Sequence, residues 1–255
     1  MSGTRSPSRT APATEAPFAD AALVLCAHGV RGGAGVALEH AGRIRRLGLF
    51  REVHACAHKG APGLAATLAS VEAPTIRFAP LLMAEAYTLR AILDRLAGAV
   101  PPGRELIVCR PVGAHPALAS LMAGRALRAL AERGWRTEDT ALLVIGHGTG
   151  RHARSSVSGR EHAARIAAAH PFREVAVAFL DEAPTVPEAL TRLDAPHIVA
   201  EGLFVDRGEH GEEDIPALLA GDARAGVYLG PVGCAPEICE LILQQAMAAR
   251  TARAA

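Results

Sequence analysis

Phe50-Arg51-Glu52-Val53 is written again as Phe172-Arg173-Glu174-Val175, 122 positions later. Glu39-His40-Ala41-Gly42-Arg43-Ile44 recurs at the same offset as Glu161-His162-Ala163-Ala164-Arg165-Ile166, and Ala61-Pro62 recurs as Ala183-Pro184. A fixed offset held over three separate strings means an internal duplication, and a unit of this length is of ordinary domain size. The two copies can therefore be read against each other. Where one carries chemistry that the other lacks, the difference marks a site.

Outward from these strings, both copies show the same order of elements. Short apolar, β-branched runs lie at 22–27, 53–57, 75–83 and 105–109, and again at 141–145, 175–180, 197–205 and 226–229. They are continuous rather than alternating, as strands covered on both faces of a parallel sheet read. Between them, apolar positions spaced three to four apart predict helices over 34–49, 86–99 and 116–133, then over 155–169, 184–193, 212–220 and 236–250. Strand and helix alternating through short connections predict an α/β fold with right-handed crossovers. Two tandem domains are expected, each a small parallel sheet of about four strands flanked by helices. The expected boundaries are a tail over 1–20, a first domain over 21–134 and a second over 139–250. The tail, rich in Ser, Thr, Pro and Ala with no apolar stretch, is expected to be disordered rather than a secretory signal.

Composition excludes several classes. The 255 residues are 50% hydrophobic and 21% charged, with a formal net charge of +1, so no global field favours nucleic acid or an anionic membrane. No apolar run approaches the roughly 18–20 residues that span a bilayer. The five cysteines form no CxxC pair, which argues against a zinc ribbon or thioredoxin-type motif. Cys26, Cys56 and Cys109 sit inside apolar runs and are expected to be buried thiols of a cytoplasmic protein. Gly32-Gly33-Ala34-Gly35 follows a strand but lacks the spacing of a phosphate-binding loop, which disfavours a phosphorylated ligand.

In open α/β sheets, ligands bind at the carboxyl ends of the strands. After the first strands come His28-Gly29 and His147-Gly148-Thr149, and after the second come His58-Lys59 and Asp181-Glu182. After the third come Glu85-Ala86-Tyr87-Thr88 and Arg207-Gly208-Glu209-His210. The second copy thus collects His147, Asp181, Glu182 and His210 on one rim. Imidazole nitrogen and carboxylate oxygen bind divalent metal ions, and imidazole also accepts protons near neutral pH. In the first copy Lys59 stands for Asp181 and Thr88 for His210. Only the first histidine is kept, as His28. One working wall facing one supporting wall is the expectation. His58, whose counterpart is Leu180, is left out of the site, and His40 and His162 are read as surface or packing residues within helices.

Gly146-His147-Gly148-Thr149, Ala178-Phe179-Leu180-Asp181 followed by Pro184, and Leu203-Phe204-Val205 followed by Gly208-Glu209-His210 and Asp214-Ile215-Pro216 together resemble the sirohydrochlorin chelatase family. These are class II tetrapyrrole chelatases, and the resemblance covers about residues 21–245 as two tandem units. It implies two chelatase-type, flavodoxin-like domains in one chain. It implies insertion of a divalent metal, Co²⁺ or Fe²⁺, into sirohydrochlorin or a precorrin-2-like tetrapyrrole, in cobalamin or siroheme biosynthesis. The metal is then substrate and no prosthetic cofactor is implied. His147 and His210 carry over as the catalytic, metal-binding pair. The acidic position after the second strand, usually Glu, is Asp181 here, with Glu182 beside it, so either carboxylate can serve. Sirohydrochlorin bears eight carboxylates, so its rim is expected to meet cations and hydroxyls. The candidates are His28, Lys59, Thr88, Arg151, Ser155 and Ser156. Ser155 or Ser156 also suits a helix N-cap, and Lys59 also suits a solvated rim charge. A chelatase relative that binds metal or tetrapyrrole without turnover is the second reading. A monomer or a homodimer is expected, without nucleic-acid or membrane partners.

Overall fold

Glu52 and Glu174, the acids of the repeated string, do the same work in both copies. Glu52 Oε1 accepts the backbone N–H groups of Glu72 and Ala73 at 3.1 and 2.6 Å. Glu174 Oε1 accepts those of Asp194 and Ala195 at 3.0 and 2.9 Å. Each carboxylate anchors the segment entering the third strand to the edge strand, and the neighbouring Phe50 and Phe172 are buried. The string recurs because each unit needs the same latch.

The computed structural model describes residues 16–85, 87–149 and 154–250. The first unit runs β1 (Phe18–Ala27), α1 (Val36–Arg45), β2 (Phe50–Ala57), α2 (Leu64–Ala69), β3 (Thr75–Leu81), α3 (Tyr87–Ala97), β4 (Glu105–Val108) and α4 (Ala117–Arg133). The second runs β5 (Thr140–Gly146), α5 (Arg154–Ala169), β6 (Glu174–Phe179), α6 (Val186–Arg192), β7 (His197–Gly202), α7 (Ile215–Leu219), β8 (Ala225–Pro231) and α8 (Ile238–Ala248). Both sheets are parallel and four-stranded, in the orders β2-β1-β3-β4 and β6-β5-β7-β8. Strand order reverses beside β1 and β5, which places the ligand crevice at the ends of β1 and β3, and of β5 and β7.

Four expectations are corrected. The tail does not reach residue 20: β1 begins at Phe18, whose ring stacks on Phe50 at 4.8 Å, while residues 1–15 lie outside the described ones. The apolar runs outlast their strands. β3 stops at Leu81 and β7 at Gly202, and Leu82, Met83 and Leu203 are buried in the following loops, since continuous hydrophobicity does not separate strand from buried loop. α2 was not anticipated, because six residues give no readable helical period. The helix expected from 212 opens instead as a π-turn, His210–Asp214, closed by the Ile215 N–H on the His210 carbonyl.

The units exchange their last helices. α4 packs on β7 and α8 on β3. Arg125 of α4 reaches the fully buried Glu201 of β7 at 2.5 Å and the Leu229 carbonyl at 2.7 Å. Arg77 of β3 donates to the Ala246 carbonyl of α8 at 2.5 Å. Burial pushes the Glu201 carboxyl up to about 8 even with Arg125 beside it. One continuous apolar core, including Leu23, Leu25, Met122, Leu142, Val144 and Ile242, therefore runs between the two sheets. Each sheet has its own outer core, under α2 and α3 and under α6 and α7.

A reciprocal pair of hydrogen bonds closes this middle layer. His40 of α1 and His162 of α5 are 0% and 1% exposed, and packing, not surface, is their role. His40 Nε2 lies 2.8 Å from the Gly233 carbonyl of the second unit, and His162 Nε2 lies 2.8 Å from the Gly113 carbonyl of the first. Facing a carbonyl, each Nε2 carries the proton and donates. Both acceptors must be glycine: a Cβ at Gly113 would sit 2.2 Å from the Met83 carbonyl oxygen, and at Gly233 2.2 Å from that of Val205.

Candidate functional site

His147 follows β5 directly and His210 opens the π-turn after β7, so adjacent strands deliver them to the crevice. Their rings are 4.9 Å apart and perpendicular. Asp181, after β6, brings Oδ2 to 3.3 Å from His147 Nδ1, which also lies 2.8 Å from the Gly148 carbonyl. Both neighbours are acceptors, so Nδ1 carries the proton and Nε2 keeps its lone pair. His210 repeats the arrangement: its Nδ1 lies 2.6 Å from Asp214 Oδ2. Among the described residues neither Nε2 has a hydrogen-bond partner. All four side chains are about half exposed. The result is a pair of oriented imidazoles, each backed by a carboxylate and each offering one nitrogen. Among the described residues no three His, Cys, Asp or Glu side chains are arranged to enclose a metal ion.

Asp181 and Glu182 separate cleanly. Glu182 turns away from the histidines and accepts from the Thr149 N–H at 3.1 Å and from Arg160 at 3.2 Å. Burial pushes the Glu182 carboxyl up, but bonds from Ser156, the Thr149 N–H and Arg160 outweigh it and hold the group below its ordinary range. Glu182 thus ties the loop after His147 to α5. Ser156, expected at the substrate rim, is instead buried and bonded to this carboxylate. Arg151 lies outside the described residues, as does the side chain of Ser155.

The first unit presents a different rim. His28, just after β1, is exposed, and Lys59 after β2 is exposed, its N–H bonded to the His28 carbonyl at 2.8 Å. Thr88 sits half-buried in the first turn of α3, beside Tyr87, which is 68% exposed. His58, left out by the comparison with Leu180, brings its ring to 6.1 Å from that of His28. Desolvation first, and then Lys59, lower the His28 pKa; desolvation, Arg95, His28 and Lys59 lower that of His58. Two rim arginines are engaged between the units. Arg31 pairs with Glu212 at 3.3 Å, and Arg207 with Glu39 at 3.7 Å. The first of these pairs joins the loop after His28 to the π-turn of His210, so the two rims meet there. Asp214, which backs His210, was not among the candidate site residues, although its spacing of four from His210 is readable.

Comparisons with known proteins agree with this fold. A family model described as CbiX matches residues 22–129 and again 141–249. The chain is 29% identical over 264 residues to a Halobacterium salinarum protein called a probable sirohydrochlorin cobaltochelatase, covering 88% of this chain and 90% of that one. It is also similar to a solved multi-domain protein of Deinococcus radiodurans, described as resembling chelatases, at 26% identity and a TM-score of 0.76. That match covers 89% of this chain and 54% of the other, so this chain spans about half of the Deinococcus protein. A structure described as CbiX, the terminal enzyme of siroheme biosynthesis in denitrifying bacteria, is 27% identical with a TM-score of 0.68, covering 89% of this chain and 98% of that one. SirB of Bacillus subtilis, solved with Fe³⁺, shares the fold at 16% identity and a TM-score of 0.70, over 89% of this chain and 94% of the other.

Proposed function

The chain belongs to the CbiX family, and we propose from that premise that it inserts a divalent metal ion, Co²⁺ or Fe²⁺, into sirohydrochlorin. The observation that carries this reading is the His147–His210 pair at 4.9 Å, each ring fixed through Nδ1 by a carboxylate. Insertion must strip water from the ion and remove two pyrrole protons from the free-base ring. The two Nε2 lone pairs replace water on the ion and hold it against one face of the macrocycle. As the ion passes into the ring, those lone pairs are freed, and each imidazole accepts one of the two protons. Asp181 and Asp214 stabilise the imidazolium ions so formed. The ring gains M²⁺ and loses two H⁺, and the two histidines balance the exchange before releasing the protons to water.

The first unit supplies no such pair, because Lys59 and Thr88 occupy the places of Asp181 and His210. It acts as the facing wall, with His28, Lys59 and Thr88 toward the macrocycle. Among the described residues no helix is long and apolar enough to cross a bilayer. The test is metal insertion followed by the visible spectrum of sirohydrochlorin, with Co²⁺, Fe²⁺ and Ni²⁺ supplied separately. Enzyme-dependent conversion with Co²⁺ or Fe²⁺ supports the proposal. Tight binding of ring or metal with no conversion above the uncatalysed rate overturns it in favour of a carrier.

A further inference from the structure

The rim of the first unit is cationic where that of the second is acidic. Lys59 stands at the position of Asp181, and His58 beside it at the position of Leu180. His28 and His58 tilt toward each other at 6.1 Å. Arg95, reaching down from α3, donates to the His58 carbonyl at 3.1 Å. Every charged neighbour acting on these two imidazoles is positive, and no carboxylate is among them. Among the described residues Lys59 and Arg95 have no ion-pair partner, although Arg31, Arg90 and Arg110 of the same unit are each paired. His58 Nδ1 is buried with no hydrogen-bond partner. Cations without carboxylate partners, gathered around two imidazoles at a strand-end rim, favour an anion there.

We infer that Lys59, Arg95, His28 and His58 form an anion site that takes a carboxylate arm of the macrocycle. The two copies then divide the substrates. The second wall receives the cation on His147 and His210, and the first receives the polyanion. A metal ion is disfavoured on the first wall, because Lys59 and Arg95 repel it. A carboxylate is favoured because of position. The Arg31–Glu212 pair ties this rim to the His210 turn, so an anion held here belongs to a molecule lying over the histidine pair. Sirohydrochlorin has its carboxylates around the edge and none at its metal-receiving centre, which matches an edge site set apart from the metal site. The identification of the arm rests on the function proposed above.

The probe is uroporphyrin, an eight-carboxylate ring, titrated into the full chain by fluorescence, with Lys59→Asp and Arg95→Met as variants. Both residues are exposed, and thermal melting checks that the variants fold. Lys59→Asp, which restores the acid of the second copy, is expected to weaken uroporphyrin binding by at least about tenfold, the range of a lost charge-assisted contact turned repulsive. Arg95→Met is expected to weaken it severalfold. With sirohydrochlorin the loss should appear in KM rather than in kcat, and Co²⁺ binding measured without any ring should be unchanged. Unchanged uroporphyrin affinity in both variants overturns the inference, as does a loss of Co²⁺ binding in Lys59→Asp. If the wild type binds uroporphyrin through Lys59 and Arg95 yet inserts no metal, the anion site stands and the proposed catalytic function falls.

Discussion

Asp181 and Glu182 are neighbours in sequence and point to different tasks. Asp181 Oδ2 faces His147 Nδ1 at 3.3 Å, whereas Glu182 binds Thr149, Ser156 and Arg160. Asp181→Asn is therefore expected to slow metal insertion by roughly 10–100-fold, the usual cost of losing the partner that orients a metal-binding histidine, with an unchanged melting temperature. Glu182→Ala should instead lower the melting temperature, because it frees the loop after His147. The carboxyl of Glu182 is held below its ordinary 4.5, so its contribution to stability is present above that pH and lost as pH falls through the folded value. Asp214→Ala should weaken Co²⁺ binding by a similar 10–100-fold in calorimetry. The histidines were legible from the sequence because they follow strands in both pattern and position. The choice between two adjacent acids was not, since it depends on how the loop after β6 turns.

At the scale of elements, the duplication predicted a parallel sheet of about four strands in each unit but not the helix exchange. The apolar stripes of α4 and α8 show that each covers a sheet, and nothing in their spacing says which one. The marker is Glu201: its counterpart at the 122-residue offset is Ala79, and it is the acid buried at 0% exposure between β7 and α4. Removing Arg125 leaves the buried Glu201 carboxyl without its donor, so Arg125→Met should destabilise the fold by roughly 1–3 kcal/mol in urea denaturation. Adding Glu201→Ala, which copies Ala79, should recover much of that loss. If the double variant is no more stable than Arg125→Met, the ion pair is not what makes this helix position costly. α2 escaped detection for a different reason: only Leu64, Thr67 and Leu68 of its six residues are buried, too few to establish a period.

Across the whole molecule, the two units are joined by His40 and His162, each donating to a glycine carbonyl of the other unit. Burial away from water is the main reason both histidines lie below 6.5. Carbonyl contacts and Glu39, Asp206 and Glu161 oppose this, and Arg43 and Arg165 reinforce it. The unfolded chain therefore binds more protons below about 6.5, and stability is full above that value and falls as pH drops through it. The melting temperature should decline between about pH 6.5 and 5, and the decline should flatten when both histidines become glutamine, which still donates but does not titrate. An equal decline in the double variant would assign the acid sensitivity elsewhere. Within this joined frame the two walls of the cleft are unequal, and their inequality is most directly measured by metallation rates. Initial rates of Co²⁺ insertion into sirohydrochlorin should be compared for His147→Ala, His210→Ala and His28→Ala at saturating ring. Turnover should fall by at least about 100-fold, in the range of lost general acid–base catalysis, for the first two variants. His28→Ala should keep turnover within about threefold while its KM rises, since truncating a group that serves binding alone moves KM and not kcat. Full turnover in His210→Ala, or a collapse in His28→Ala as deep as that in His147→Ala, would contradict a single working wall.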